Sequence, residues 1–281
     1  MQIDLHVHSD ASDGTQSPAA VMREALRAGL DVVALTDHDT VAGWDEAADA
    51  GAEMGIGLVR GIEITCEREG TVHLLAYLPA ADDDDLMSEL GRARKSRLTR
   101  MDRMVERLAL AGIPITIEQV HAQVREGATL GRPHLADALV AAGEARDRTD
   151  AFVRYLDRSS RFYVGHYAPD PVRAVELVVA AGGVAVIAHP FTTLQHAPVP
   201  VDLIADMAAA GMLGIEVDHR DHDASARREL RGLAAELGLV VTGSSDYHGA
   251  GKPNLIGENR TDPEAFAAIV AAASGCAYLP A

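Results

Sequence analysis

The chain has 281 residues, 48% of them hydrophobic and only 4% aromatic, which suits one large domain or two smaller ones around an aliphatic core. A formal net charge of -17 argues against a broad basic face for duplex DNA or anionic lipid, but leaves room for a small phosphate site and for bound cations that formal counting ignores. Two cysteines, Cys66 and Cys276, form no CxxC pair and no disulfide framework, and they suggest a reducing, cytoplasmic setting.

The first apolar run, 3–7, reads as a strand that delivers His6 and His8, with Asp13 close behind. It follows no basic leader segment, and no run of about 18 uncharged apolar residues is present to span a membrane. A helix comes next, with Ser17 as N-cap, Pro18 in the first turn, Val21, Ala25 and Leu26 as an apolar stripe, and Gly29 as terminator. The strand 32–36 leads to His38, and its neighbours Asp37 and Asp39 are expected to orient imidazoles. Strand 61–65 carries Glu63, and strand 72–78 carries His73 near its start.

The alternation breaks between Asp82 and Val164. An acidic run, Asp82–Asp85, precedes a long helical pattern over 86–111 that carries Leu90, Leu98, Met101, Met104, Val105 and Leu108. Met101 and Met104 are expected to pack in a helix core, and the basic stretch Gly91–Arg107 to form a solvated helix face rather than an oligonucleotide guide. Helical segments near 116–126, 132–142 and 147–157 complete an insertion. The pattern then resumes with a helix over 171–181 and strands 184–188, 213–217 and 239–243, which lead to His189, to His219 and His222, and to Asp246-x-His248. Seven strands alternating with helices predict an α/β fold with a largely parallel sheet.

Alternate residues on a strand point to the same side, so His6 and His8 can reach one cation. In barrel-like α/β folds the C-terminal strand ends form the catalytic face. His6, His8, His38, Glu63, His189, Asp246 and His248 all sit at or near such ends, and Asp246-x-His248 implies that the last strand closes beside the first. His73 fits this pattern less well. Chance produces a single HxH pair readily, but not two pairs together with this company. Mixed imidazole and carboxylate ligation suits Zn, Mn or Fe, and the lack of thiolates argues against a structural zinc site. Nine candidate ligands are too many for one ion and suffice for two or three. Two cations about 4 Å apart can clamp both the attacking and the leaving oxygen of a phosphoryl transfer, and a carboxylate such as Glu63 can bridge them.

The segments IDLHVHSDASDG, ALTDHDT, GIEIT, VHLLAYL, AHP and SSDYH resemble the PHP (polymerase and histidinol phosphatase) family over most of the chain outside the insertion. The resemblance implies a distorted seven-stranded (β/α)7 barrel from residues 1–84 and 165–281, with 85–164 as a small inserted helical domain over the active site. It implies a trinuclear centre in which His6, His8, Glu63 and Asp246 hold one ion, Glu63, His73 and His189 a second, and Asp13, His38 and His248 a third. The insertion, with GRPHLADALV inside it, narrows the resemblance to the branch that removes the 3'-phosphate of nucleoside 3',5'-bisphosphates. Members of that branch can also shorten RNA from its 5' end. The expected activity is therefore a metal-dependent phosphomonoesterase on a small nucleotide, with no obligate protein partner. The alternatives are a 5'-to-3' exoribonuclease on short RNA, a histidinol-phosphate-type phosphatase, and a non-catalytic metal-binding module.

Arg132 and His134 lie in GRPH within the insertion. Arginine suits bidentate phosphate recognition, so Arg132 is expected to grip a phosphate at the metal mouth. His134 is expected to bind that phosphate or protonate the departing oxygen, and to share the catalytic role with Asp246. The competing reading is a plain helix start at Pro133 with Arg132 solvated. Arg158, Arg161, Tyr163 and His166 are candidates for a second phosphate or base contact. His121, His196, His219 and His222 have no motif support, although the last two follow a strand at the catalytic face.

Overall fold

In the computed structural model, which describes residues 1–192 and 198–281, seven strands form one sheet in sequence order. His196 lies outside the described residues. The chain runs β1 (Ile3–Val7), α1 (Pro18–Arg27), β2 (Val32–Leu35), α2 (Trp44–Met54), β3 (Gly57–Glu67) and β4 (Thr71–Tyr77). The helices α3 (Asp84–Leu110), α4 (Ile117–His121), α5 (Arg132–Ala141) and α6 (Arg148–Ala151) follow, with a π-helical turn over Phe152–Leu156. It continues with α7 (Pro171–Ala180), β5 (Val184–Ala188), α8 (Val201–Ala209), β6 (Gly214–Asp218), α9 (Ala224–Leu237), β7 (Val240–Gly243) and α10 (Pro263–Ala272). The sheet nearly closes on itself: Val7 bridges Tyr247, and the His8 N–H donates to the Tyr247 carbonyl at 2.8 Å.

The sheet is mixed, not largely parallel. β4 pairs antiparallel with both β3 and β5, while the other neighbours pair parallel. The cause is local. Only Arg68, Glu69 and Gly70 separate β3 from β4, whereas a parallel partner needs a crossover of a dozen residues or more. Glu69 takes a positive φ of 55° to make this reversal. β3 is also longer than the 61–65 read from sequence, because its first half pairs with β2 and its second half with β4.

The period of two along β3 separates two environments. Ile62, Ile64 and Cys66 pack with Val175, Leu177 and Val178 of α7. Val59, on the other face, joins Leu5, Leu75, Tyr77 and Val186 in the barrel interior, where the Tyr77 hydroxyl donates to the Leu5 carbonyl at 2.9 Å. Glu63 and Thr65 follow Val59 on that interior face, which carries the strand toward the site.

α1 forms as its sequence predicts, with Ser17 accepting from the Ala20 N–H at 3.3 Å and Gly29 at φ 71° after its end. The helices between β4 and β5 build their own apolar cluster, in which Met101, Met104 and Leu108 of α3 meet Leu135, Leu139, Leu156 and Phe162. Leu98 does not join it and stays 48% exposed. This helical segment is tied to the barrel through the loop after β1. The Thr129 N–H donates to the Ala11 carbonyl at 3.0 Å, Arg148 to the Asp13 carbonyl at 3.1 Å, and Arg125 to Asp10 at 2.8 Å. No helix among the described residues is long and apolar enough to cross a membrane.

Candidate active site

The functional side chains converge at one end of the barrel. His6 and His8 leave β1, His38 follows β2, His189 follows β5, and Asp246 and His248 follow β7. The reversed direction of β4 explains His73: the start of an antiparallel strand lies at the same end as the finish of its parallel neighbours. Backbone strain marks the place, because Asp39, His189 and Asp246 all hold positive φ at 53°, 28° and 54°. The loop after His8 folds back so closely that a Cβ at Gly14 would sit 2.6 Å from the His8 carbonyl oxygen. Asp37 locks this loop by accepting from the Ser9 N–H at 2.8 Å and from the Ser9 and Ser12 hydroxyls at 2.6 Å each.

Glu63 stands at the centre, with only 1% of its surface exposed. Its Oε1 lies 2.8 Å from His73 Nδ1 and 3.2 Å from His189 Nε2. Its Oε2 lies 3.0 Å from His8 Nε2, 3.2 Å from His6 Nε2 and 3.4 Å from His38 Nδ1. Each carboxylate oxygen therefore faces a different set of imidazoles, which is the arrangement that bridging two cations requires. Asp246 Oδ1 sits 3.4 Å from His6 and 3.5 Å from His8, and Asp13 Oδ1 sits 3.2 Å from His248 Nε2. Three groups have ligand atoms within 4.8 Å of one another: His6, His8, Glu63 and Asp246; Glu63, His73 and His189; and His8, Asp13, His38 and His248.

The electrostatics of this cluster call for a cation. Burial opposes every charge here, yet the imidazoles hold Glu63 and Asp13 well below the usual carboxylate range, and Lys252 with His248 does the same for Asp246. Against the same burial, the carboxylates raise His6 well above its ordinary value and His8 to about 9. Burial prevails at His38, held well below, and at His248, pushed down to about 4 with help from His8. The His8 and His248 rings are 4.0 Å apart, so both cannot carry a proton at once. Carboxylates that demand positive charge and imidazoles too crowded to protonate are both satisfied by divalent cations. His38 Nδ1, His219 Nε2, Asp246 Oδ1 and His248 Nε2 are buried without a hydrogen-bond partner, as ligand atoms awaiting an ion would be. The donor set of imidazole nitrogen and carboxylate oxygen fits Zn, Mn or Fe.

The model of the PHP domain family matches residues 4–142. A 5'-3' exoribonuclease of Haemophilus influenzae is 35% identical over 87% of this chain and 89% of its own length. The chain belongs to the PHP family. A second PHP relative, the 3',5'-nucleoside bisphosphate phosphatase of Chromobacterium violaceum, is 34% identical over 89% of this chain and 88% of its own. A third, the phosphoribosyl 1,2-cyclic phosphate 1,2-diphosphodiesterase of Eggerthella lenta, is 33% identical over 88% and 94%. A crystal structure from Bifidobacterium adolescentis, assigned as a metal-dependent phosphoesterase, superposes with a TM-score of 0.94 at 41% identity, covering 97% of this chain and 96% of that one. The protein is thus a metal-dependent phosphoesterase whose ligand clusters suit several metal ions.

Around this PHP centre the structure adds groups that sequence reasoning missed. Glu216, on β6 and fully buried, lies 3.2 Å from His6 Nδ1 and accepts from the His189 N–H at 2.8 Å. Its only sequence signal was its place on a strand whose end was already read as catalytic. Lys252 reaches Asp246 Oδ2 at 2.6 Å, and His219 Nε2 faces the same oxygen at 3.6 Å. His222 instead holds the loop after β5, accepting from the Phe191 N–H at 3.1 Å. His121 is exposed.

Two expectations need correction, those for Asp37 with Asp39 and for the basic stretch of α3. Asp37 approaches His8 only through Ser12, and Asp39 is engaged by Arg97 and the Thr65 N–H, so neither orients an imidazole directly. The basic stretch of α3 is not simply a solvated face, because Arg97 and Arg100 are only 6% and 4% exposed. Arg97 turns inward to bind Asp39 at 2.6 Å and Thr65 of β3 at 2.7 Å, and Arg100 to meet His166 at 3.3 Å. Arg132 is half-buried, donating to the Leu156 carbonyl at 2.9 Å and lying 5.3 and 5.5 Å from the Phe152 and Tyr163 rings. His134 is buried, and Asp13 is near enough to favour its charged form against burial. Arg158, Tyr163 and His166 line one cavity, whereas Arg161 is exposed over Phe162 and lines a different one.

Proposed function

We propose that this PHP phosphoesterase releases the 3'-phosphate of nucleoside 3',5'-bisphosphates. The observation that carries the reading is the meeting of two unlike surfaces: a three-part ligand cluster joined through Glu63 and His8, and a helical segment that binds the loop beside it through Arg148 on the Asp13 carbonyl and the Thr129 N–H on the Ala11 carbonyl. The likeness to a 3',5'-nucleoside bisphosphate phosphatase over 89% of the chain supports it. His6, His8, Glu63 and Asp246 would hold one divalent cation, Glu63, His73 and His189 a second, and Asp13, His38 and His248 a third. Bound there, such ions lower the pKa of water and neutralise charge on the transferring phosphoryl group.

The chain's own groups do the rest. Burial keeps His134 neutral, and its Nδ1 accepts from the Gly131 N–H at 3.0 Å, so its proton sits on Nε2. From there it donates a hydrogen bond to a phosphoryl oxygen; a neutral imidazole is too weak an acid to protonate the departing alkoxide. Asp246 offers its Oδ1 as a ligand, while Lys252 on Oδ2 holds the carboxylate in place.

The second reading is a 5'-to-3' exoribonuclease, favoured by the relative of that name. Incubation with Mn separates the two. Adenosine 3',5'-bisphosphate should yield inorganic phosphate and adenosine 5'-monophosphate faster than a short 5'-phosphorylated RNA yields mononucleotides. Mononucleotides from RNA, without phosphate from the bisphosphate, would overturn the first reading. His8→Ala should reduce either activity to background.

A further inference from the structure

Lys252 reaches the ligand cluster from its rim, just after the short turn Gly249–Gly251. Two other parts of the fold hold that turn in place. The Thr15 hydroxyl, in the loop after β1, accepts from the Ala250 N–H at 2.8 Å, and a Cβ at Gly249 would collide with that hydroxyl. A Cβ at Gly251 would collide with Arg148, whose Nη1 donates to the Asp13 carbonyl at 3.1 Å. The barrel and the helical segment therefore place this lysine together. Its Nζ ends 2.6 Å from Asp246 Oδ2. Among the described residues, no other lysine or arginine comes within ion-pair distance of the Asp13, Glu63 or Asp246 carboxylates.

Asp246 does not use up this cation. An ammonium has three N–H donors, and the bond to Asp246 Oδ2 engages one of them. The Lys252 side chain is 32% exposed where that of Asp246 is 5% exposed, so the spare donors lie on the side from which a substrate enters. Burial works against the charge, but Asp246, Asp13 and Glu63 outweigh it. Between them these carboxylates belong to all three ligand groups, so the ammonium looks onto the whole cluster. Nor does Asp246 depend on Lys252 alone. His219 Nδ1 accepts from the Asp221 N–H at 3.1 Å, so its ring proton sits on Nε2 and faces Asp246 Oδ2 at 3.6 Å from the fully buried side. The carboxylate thus has one positive end behind it, fixed in the fold, and one before it that can also serve a ligand.

We propose that Lys252 is a catalytic residue, which donates an N–H to a nonbridging oxygen of the phosphoryl group being transferred while it keeps its bond to Asp246. Charge on those oxygens is what cationic groups stabilise in phosphoryl transfer, and Lys252 supplies one such group from the chain itself. The lysine gives up no proton. The water oxygen bonds to phosphorus, the ester oxygen leaves with the bonding electron pair, and the ammonium stays an ammonium throughout. The inference needs only the phosphoesterase activity and holds for either nucleotide substrate considered above.

The test uses the whole chain and Lys252→Met, which keeps most of the stem and removes the charge. With Mn at saturation for each protein, hydrolysis of 4-nitrophenyl phosphate is measured, and binding of inorganic phosphate is followed by calorimetry. Truncating one partner of a buried charge contact lowers affinity ~30-fold or more, and the partial exposure of Lys252 reduces the expectation to about tenfold. The variant should therefore lose about tenfold in kcat/KM and bind phosphate at least about threefold more weakly, with both losses persisting at saturating Mn. A loss of activity that disappears once Mn saturates would mean that Lys252 acts only by holding Asp246, and overturns the proposal. Phosphate affinity changed less than about threefold overturns it too. If the wild type does not turn over this ester, the phosphate affinity decides alone by the same threshold. Should Lys252→Met fail to fold, Lys252→Gln, which keeps a neutral donor for Asp246, is held to the same criteria.

Discussion

Glu216 offers the sharpest test of how the PHP centre is held. Its Oε1 lies 3.2 Å from His6 Nδ1, and its Oε2 accepts from the His189 N–H at 2.8 Å, with no solvent access to either. The first contact keeps the His6 Nδ1 proton in place and leaves Nε2 directed at Glu63 and Asp246. Glu216→Gln keeps the shape but has one accepting oxygen for two donors, so one contact becomes donor against donor. A hydrogen bond to a charged group is worth about 1.5–3 kcal/mol, and substitutions behind metal ligands lower metal affinity about 10–100-fold. Those figures agree, since 10–100-fold corresponds to about 1.4–2.7 kcal/mol. Calorimetric titration with Mn should show that loss of affinity. Phosphate release should half-saturate at correspondingly higher Mn, and its rate at saturation should return to within about threefold of the wild type. Unchanged Mn affinity accompanied by a fallen saturated rate would refute a positioning role for Glu216.

Three further outcomes follow from the same geometry. Asp37→Ala removes the acceptor for one backbone N–H and two hydroxyls in the loop after His8, and urea unfolding should show a loss of about 2–4 kcal/mol. Arg97→Met leaves Asp39 buried without its partner and should cost about 3–5 kcal/mol, while adding Asp39→Asn should recover part of that loss in a double-mutant cycle. His166 faces Arg97, Arg100, Arg132 and Arg158, and its ring is held near 2 against an ordinary 6.5. The unfolded chain therefore takes up a proton below pH 6.5 that the folded chain refuses until about pH 2. Stability should be full above pH 6.5 and decline toward acid by at most about 1.4 kcal/mol per pH unit, less where solvent reaches the ring. Urea midpoints at pH 7.5 and pH 5 should show a smaller decline for His166→Gln than for the wild type.

Much of the PHP barrel was legible from residue order alone. Short apolar runs located all seven strands, Ser17 and Pro18 marked the start of α1, and the pairs His6-x-His8 and Asp246-x-His248 announced the face on which candidate ligands gather. Spacing of this kind is local: a strand places every second residue on one side whatever surrounds it, and the donor chemistry of imidazole and carboxylate does not depend on the fold. The short connection 68–70 dictated the direction of β4 locally, but tertiary structure alone decided that His73 reaches Glu63 from the start of its strand. It also decided that Glu216 supports His6, that Lys252 pairs with Asp246, and that Arg97 and Arg100 turn inward from a helix whose basic pattern reads as solvated. The partners range from 6 positions away, for Lys252 and Asp246, to 210, for Glu216 and His6. No periodicity carries such information, because the burial of a charge depends on which counter-charge the completed fold sets beside it.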